Sequence, residues 1–254
     1  GLVAVCGRVH DMQTLVPLGN SVPVEVGIYS PLNFIQEPLT TPPLDVVSLD
    51  SCGRYFSQVP VQTGDLIAVA VNDVGEIAAN TPDAGAYRLT AVAARAGSGA
   101  RVVLPAFATL NATNTSWSTT AGVSPSFSQQ GVFVGFYIND NASAPVLLAD
   151  PTENYPFRNA AGNGAPTEGV TITVAGNPRP DSDNYYVTDL DPTTLTTVNT
   201  AGPTGPAGVG LLFNSPAIAA HSGAGPANCA WDTNTLAATV LGVILVMPVR
   251  GTCN

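Results

Sequence analysis

Residues 48–60, SLDSCGRYFSQVP, decide the fold. An acidic turn from Asp50 to Gly53 leads into a strand opened by Tyr55 and Phe56, and a turn at Pro60 closes it. Gly and Pro punctuate the turns, and the alternating segment between them is the pattern of one edge of a small antiparallel β-sandwich. Such a stretch specifies a scaffold and names no substrate.

The same grammar extends on both sides. Val22, Val24 and Val26 alternate with Pro23, Glu25 and Gly27, and Ile28 continues the apolar character, which predicts a half-buried strand. A Pro-rich loop follows over 31–43, and Val46, Val47 and Leu49 lead into the Asp50 turn. LIAVAV at 66–71 predicts a further strand, and 87–94 are predicted to pair with 101–104 across the AGSGA turn. The TAVAARA segment has helical propensity, but Gly97 and Gly99 break it too soon for a stable isolated helix, so a strand is predicted. Residues 110–128, LNATNTSWSTTAGVSPSFS, are polar with no apolar period and read as a linker or an exposed loop. Beyond it, GVFVGFYI (131–138), GVTITV (169–174), 185–188, 208–213 and a C-terminal run supply a second set of strands. Long loops at 139–166 and 217–228 separate them, and such loops on a β scaffold carry binding or assembly contacts. The expected organisation is a first β-sandwich at 1–109, a linker at 110–128 and a second β-sandwich at 129–254.

Composition bounds the function. The chain of 254 residues is 45% hydrophobic and only 10% charged, which suits short strands, many turns and a large buried core. All eight basic residues are arginines, and there is no lysine. An isopeptide cross-link therefore cannot form within the chain, and covalent stapling must come from cysteine. A net charge of −10 and a pI near 4.3 argue against nucleic acid as a partner. The longest apolar run, LAATVLGVILVMPV at 236–249, is shorter than the roughly 20 residues of a membrane-spanning helix and predicts a buried strand.

Cys6, Cys52, Cys229 and Cys253 lack the C-x-x-C spacing of zinc or thioredoxin-like sites. They are read as disulfides, and of three connectivities Cys6 with Cys52 and Cys229 with Cys253 is preferred, because each pair lies within one expected domain. The chain starts at Gly1, as a processed product would, and an extracellular or cell-surface location is inferred from the cysteines.

The first hundred residues resemble the carboxypeptidase regulatory-like, or transthyretin-like, family of β-sandwich modules. CGRVHDMQTLVPLGNSVPVEV is similar to the family's opening strand, Asp turn and Pro-Leu approach to the second strand, and SLDSCGRYFSQVP with TGDLIAVAV continues the match. In the second region EGVTITVAGNPRP is faintly similar to the same fold. The resemblance implies an all-β chain of tandem antiparallel sandwiches, transthyretin-like or Ig-like, with a non-catalytic role in exported or surface proteins.

Candidate sites are few. Asp181, Asp183, Asp189 and Asp191 form two Asp-x-Asp pairs that could offer carboxylate oxygens to Ca²⁺, although without the Gly and Glu of an EF-hand loop, and 139–141 is a weaker version. Trp117, Tyr155 and Tyr185 are candidates for stacking on a glycan, with Trp231 placed to cover a disulfide. Tyr185 and Tyr186 point to opposite faces of any strand that holds both. His10 beside Asp11 and His221 beside Ser222 lack the constrained nucleophile of a hydrolytic site, and no G-x-S-x-G, H-E-x-x-H or phosphate-binding Gly loop occurs. The sequons at Asn111, Asn114 and Asn141 mark exposed loops. The expected function is a structural protein that self-associates into a homo-oligomer or polymer, such as a fibre or surface layer. The alternative is a module that binds a glycan or a cell-surface protein.

Overall fold

The structure, a computed structural model, describes residues 2–30, 33–34, 40–62, 64–79, 85–95, 101–120, 131–143, 156–157, 163–174, 177–178, 185–190, 197–200, 203–213, 219–233, 235–237 and 242–254. In chain order the strands are β1 (Val3–Asp11), β2 (Val24–Tyr29), β3 (Asp45–Ser48), β4 (Arg54–Val59), β5 (Leu66–Asp73), β6 (Tyr87–Arg88), β7 (Thr90–Arg95), β8 (Arg101–Val103), β9 (Ala106–Leu110) and β10 (Val132–Ser143). They continue as β11 (Asn163–Pro166), β12 (Thr171–Val174), β13 (Asn177–Pro178), β14 (Tyr185–Leu190), β15 (Thr197–Thr200), β16 (Val209–Phe213), β17 (Ala219–Ala224), β18 (Cys229–Trp231), β19 (Thr235–Ala237) and β20 (Ile244–Cys253). The helices α1 (Glu76–Ala79) and α2 (Asn111–Thr120) interrupt them. The protein is all-β.

The opening stretch folds as its residues require. Asp50 Oδ1 accepts hydrogen bonds from the amides of Cys52 (2.8 Å) and Arg54 (2.9 Å), the Asx-type turn that Asp at a turn start favours. Gly53 ends the turn at φ 70°, and a Cβ there would stand 1.6 Å from the Leu18 carbonyl oxygen, so no other residue fits. β4 then alternates as the sequence does, with Tyr55, Ser57 and Val59 inward and Arg54, Phe56 and Gln58 outward.

One large sheet runs in the order β15-β14-β16-β10-β20-β7-β5-β2-β3, with β11 on β10 and β18 on β20. A smaller sheet, β4-β1-β9-β6 with β8 on β1, packs on one face of it, and β13-β12-β17-β19 form a third. Strand alternation sorts the large sheet's side chains into two cores. Val69, Val71, Val134, Phe136 and Val246 face the small sheet and meet Val5, Tyr55 and Phe107. Ala68, Ala70, Phe133, Tyr137 and Leu245 face the other way and meet Ile77, Ile172 and Val174. Strands covered on both faces read as continuous apolar runs, which is why LIAVAV and ILVMPV show no alternation. The same burial covers β2 along its whole length, where alternation had predicted a half-buried strand.

Three expectations are corrected. The 87–94 and 101–104 segments do not form a hairpin: β7 pairs with β5 and β20, and β8 lies parallel to β1. The two expected sandwiches do not close separately, because β20 sits parallel between β7 of the first region and β10 of the second. The boundary at 110–128 falls within one continuous fold, and the stretch read as a linker contains α2, whose Trp117 is 2% exposed and joins the first core. Asn, Thr and Ser obscured that helix because their propensities are poor and only one large apolar residue anchors it.

Continuity of the sheet predicts that fragments 1–128 and 129–254, expressed separately, each fail to show a cooperative urea transition followed by circular dichroism. Independent cooperative unfolding of either would mean the β7–β20 pairing is dispensable.

Candidate functional site

Within the small sheet, β1 is paired on both sides. Cys6 stands opposite Phe56 of β4 and Val103 of β8, Arg8 stands opposite Arg54, and Ala4 stands beside Arg101. Residues at these positions share the sheet's outer face, since side chains alternate along a strand. The result is a row of Phe56, Cys6 and Val103 bounded by Arg8 and Arg54 at one end and Arg101 at the other. Phe56 is 59% and Val103 66% exposed. This face forms part of a groove of about 1340 Å³ that Ala93, Ala94, Pro248 and Arg250 also line.

Close packing holds the groove in shape. Gly7 lets the chain after β8 approach, because a Cβ there would lie 1.9 Å from the Leu104 carbonyl oxygen. Tyr55 donates its hydroxyl to that same oxygen at 2.6 Å, and burial raises its pKa far above the ordinary phenol range. Arg101 Nε donates to Cys6 Sγ at 3.2 Å, and Arg54 Nε to Asp50 Oδ2 at 2.9 Å. The Asp50 carboxyl is held below its ordinary value, first by the Arg54 amide and then by the Cys52 amide and the Arg54 side chain. Arg250 is paired with Asp140. Four of the chain's eight arginines and one of its 18 acids are among the described residues lining the groove.

His10 enters the same groove and is 5% exposed. Its Nδ1 donates to the Leu15 carbonyl (3.1 Å) and its ring lies 5.9 Å from that of Phe107. Burial lowers its pKa to about 4, against the raising effect of the Leu15 hydrogen bond and with a smaller lowering from Arg8. His221 is fully buried and stacked on Phe133 at 4.0 Å, and the Ser222 hydroxyl donates to the Asp232 carbonyl. Both histidines are packed into cores.

The other candidates fare unevenly. Asp181, Asp183, Asp191 and Tyr155 lie outside the described residues. Asp189 falls on β14 opposite Val198, and Tyr185 on β14 opposite Leu212. Among the described residues no group of three or more His, Cys, Asp or Glu could hold a metal ion. Asn139 Oδ1 accepts from the Asn141 and Cys253 amides, and Asp140 binds Arg250, so 139–141 fasten the C-terminal strand. Trp117 is buried and offers no stacking face. Asn111 and Asn114 lie on α2, not on an exposed loop, and Asn114 is fully buried, whereas Asn141 is exposed. Trp231 packs edge-on to Tyr137, and its Nε1 donates to the Gly225 carbonyl at 2.7 Å.

Cys229 and Cys253 form a disulfide between directly opposed residues of β18 and β20. Cys6 and Cys52 are free thiols, the first buried and the second exposed, which corrects the expected pairing. Geometry forbids it. Phe56 occupies the place opposite Cys6, whose thiol donates to the Val102 carbonyl, and Cys52 lies in the turn that precedes β4, outside the β1–β4 pairing.

No family model matches the chain, and no curated protein matches it. Among solved structures it is similar to the TIE protein of Bacillus anthracis (9% identity, TM-score 0.28, covering 99% of this chain and 34% of that one). It is also similar to the shaft pilin SpaA of Lactobacillus rhamnosus GG (9%, 0.28, 100% and 98%) and to a minor pilin of Streptococcus agalactiae (8%, 0.27, 99% and 96%). The chain thus spans about a third of the length of the first. Scores of this size do not establish a shared fold.

Two outcomes follow from these groups. Alkylation without reductant should label Cys52 rapidly in the native protein and two cysteines after denaturation, with four only after reduction; mass spectrometry that finds none in the unreduced, denatured chain would restore the Cys6–Cys52 bond. The unfolded chain takes up a proton on His10 near pH 6.5 and the native protein only near 4, so His10 contributes stability above 6.5 that is lost as pH falls through 4. The loss is on the order of 3 kcal/mol. His10→Gln should flatten that part of the pH dependence of urea unfolding relative to wild type.

Proposed function

We propose that this chain is a non-catalytic structural protein of the cell exterior that associates with copies of itself. One observation carries the proposal: Phe56 and Val103 project from one sheet face, although the fold buries its other β1, β4 and β8 apolar side chains efficiently. Exposed apolar clusters rimmed by polar groups mark association surfaces, and aromatic residues with arginine are the pairing that interfaces favour. The Cys229–Cys253 disulfide supports an oxidising compartment. The sequence resemblance of the first hundred residues supports a carboxypeptidase regulatory-like ancestry for that region.

Sedimentation velocity over a wide concentration range, with negative-stain microscopy of the same samples, tests the proposal. The expected outcome is a mass that grows with concentration and extended particles on the grid. A monomer independent of concentration overturns it.

A further inference from the structure

We infer that the arginine-lined groove is the receiving half of a head-to-tail joint, and that its occupant is the Val74 turn of a second copy. The inference rests on the self-association just proposed and names its two surfaces.

The turn between β5 and α1 carries the complementary chemistry. Val74 is 61% exposed and stands in the sequence between Asp73 and Gly75-Glu76. It is a formed turn: the Val74 amide donates to the Pro23 carbonyl (3.1 Å), Gly75 adopts φ 88°, and Asp73 Oδ2 accepts from the Tyr87 amide (2.8 Å). Asp73 supplies the carboxylate beside the valine, whereas Glu76 Oε2 is buried. An apolar tip flanked by the Asp73 carboxylate is therefore held on a fixed base. The groove presents the reverse, an apolar floor of Phe56 and Val103 between Arg8 and Arg54 on one side and Arg101 on the other.

The two surfaces lie at opposite ends of the strand direction. β5 runs antiparallel to β7, with Ile67 opposite Ala94 and Val71 opposite Thr90. Ala94 lines the groove, and Val74 is seven residues on from Ile67, about 23 Å at strand spacing. A copy therefore cannot satisfy its own groove with its own turn. Two different surfaces at opposite ends make a heterologous contact, which propagates as a filament unless the rotation closes a ring. β1 itself is hydrogen-bonded to β4 and β8 on either side, so the middle of the floor is recognised through side chains. An acidic turn with an apolar tip suits arginines around an apolar floor.

Two full-length variants, each disabled at one end, test the joint. Val74→Lys sets a cation against the groove arginines, and Phe56→Ser with Arg101→Glu removes the apolar floor and reverses its charge. These side chains are exposed, and retention of the wild-type thermal transition verifies the fold. Each variant alone should sediment as a monomer where wild type forms long species. Mixed in equal amounts they should form a dimer and nothing longer, because one intact turn meets one intact groove. Variants that still polymerise, or a mixture that stays monomeric, overturn the assigned surfaces while leaving self-association standing. A wild-type protein that stays monomeric throughout overturns both.

Discussion

The structure depends on one long-range constraint, the parallel seating of the last strand between two strands that belong to different halves of the chain. β20 aligns Ile244 with Thr90 of β7 and with Val132 of β10, and its alternate side chains enter both cores. Parallel neighbours require long crossovers, and here the crossover is most of the second region. Everything that fastens the C-terminus therefore stabilises both halves. The disulfide, Asn139 accepting from the Cys253 amide and Asp140 paired with Arg250 all act there. A chain with no lysine places this polar fastening where the sheet is stitched together.

What the sequence made legible was local. The Asp50–Gly53 turn, the alternation of β4 and the buried run of β5 follow from chemistry within a dozen residues, and each forms as read, whereas the 236–249 run read as one strand is divided between β19 and β20, and β20 continues past Pro248. Partnership between strands was not legible, because period and turn signals say that a strand exists and not which neighbour it takes. The 87–94 and 101–104 segments looked like a hairpin because a glycine-rich turn joins them. Their actual partners, β20 and β1, are chosen by burial on both faces of a large sheet, which no local pattern encodes. The expected Cys6–Cys52 bond failed for the same reason: nearness in sequence and domain says nothing of register, and one strand register places Phe56 where Cys52 would have to be.

The groove was equally invisible. Arg8, Arg54, Arg101 and Arg250 are scattered through a chain of low charge, and no spacing links them. They converge only because β4 and β8 flank β1 in registers that bring positions 8, 54 and 101 to one face, while β20 carries position 250 to the same groove. The one usable signal was scarcity. With eight cations in 254 residues, any fold that gathers four around one cavity has departed from an even surface distribution.

Edges and faces offer different routes to assembly, and the polar chemistry of β3 separates them. A sheet edge grows by strand addition only if its amides and carbonyls are open. On β3, the edge of the large sheet, Asp45 bonds the Val46 amide through Oδ1 (2.9 Å) and takes the Ser57 hydroxyl on Oδ2, tying the edge to β4. A carboxylate held there blunts pairing with another chain by occupying the amide and by charge, a device that protects edge strands from indiscriminate growth. The outer face of β1, β4 and β8 has no such guard over Phe56 and Val103. Apolar side chains left on a face bind through shape and desolvation, which specify a partner surface more narrowly than the repeating backbone bonds of an edge. A protein that joins its copies through one face is served by side chains left open there, and the registers of β1 with β4 and β8 produce that open face while Asp45 guards the β3 edge.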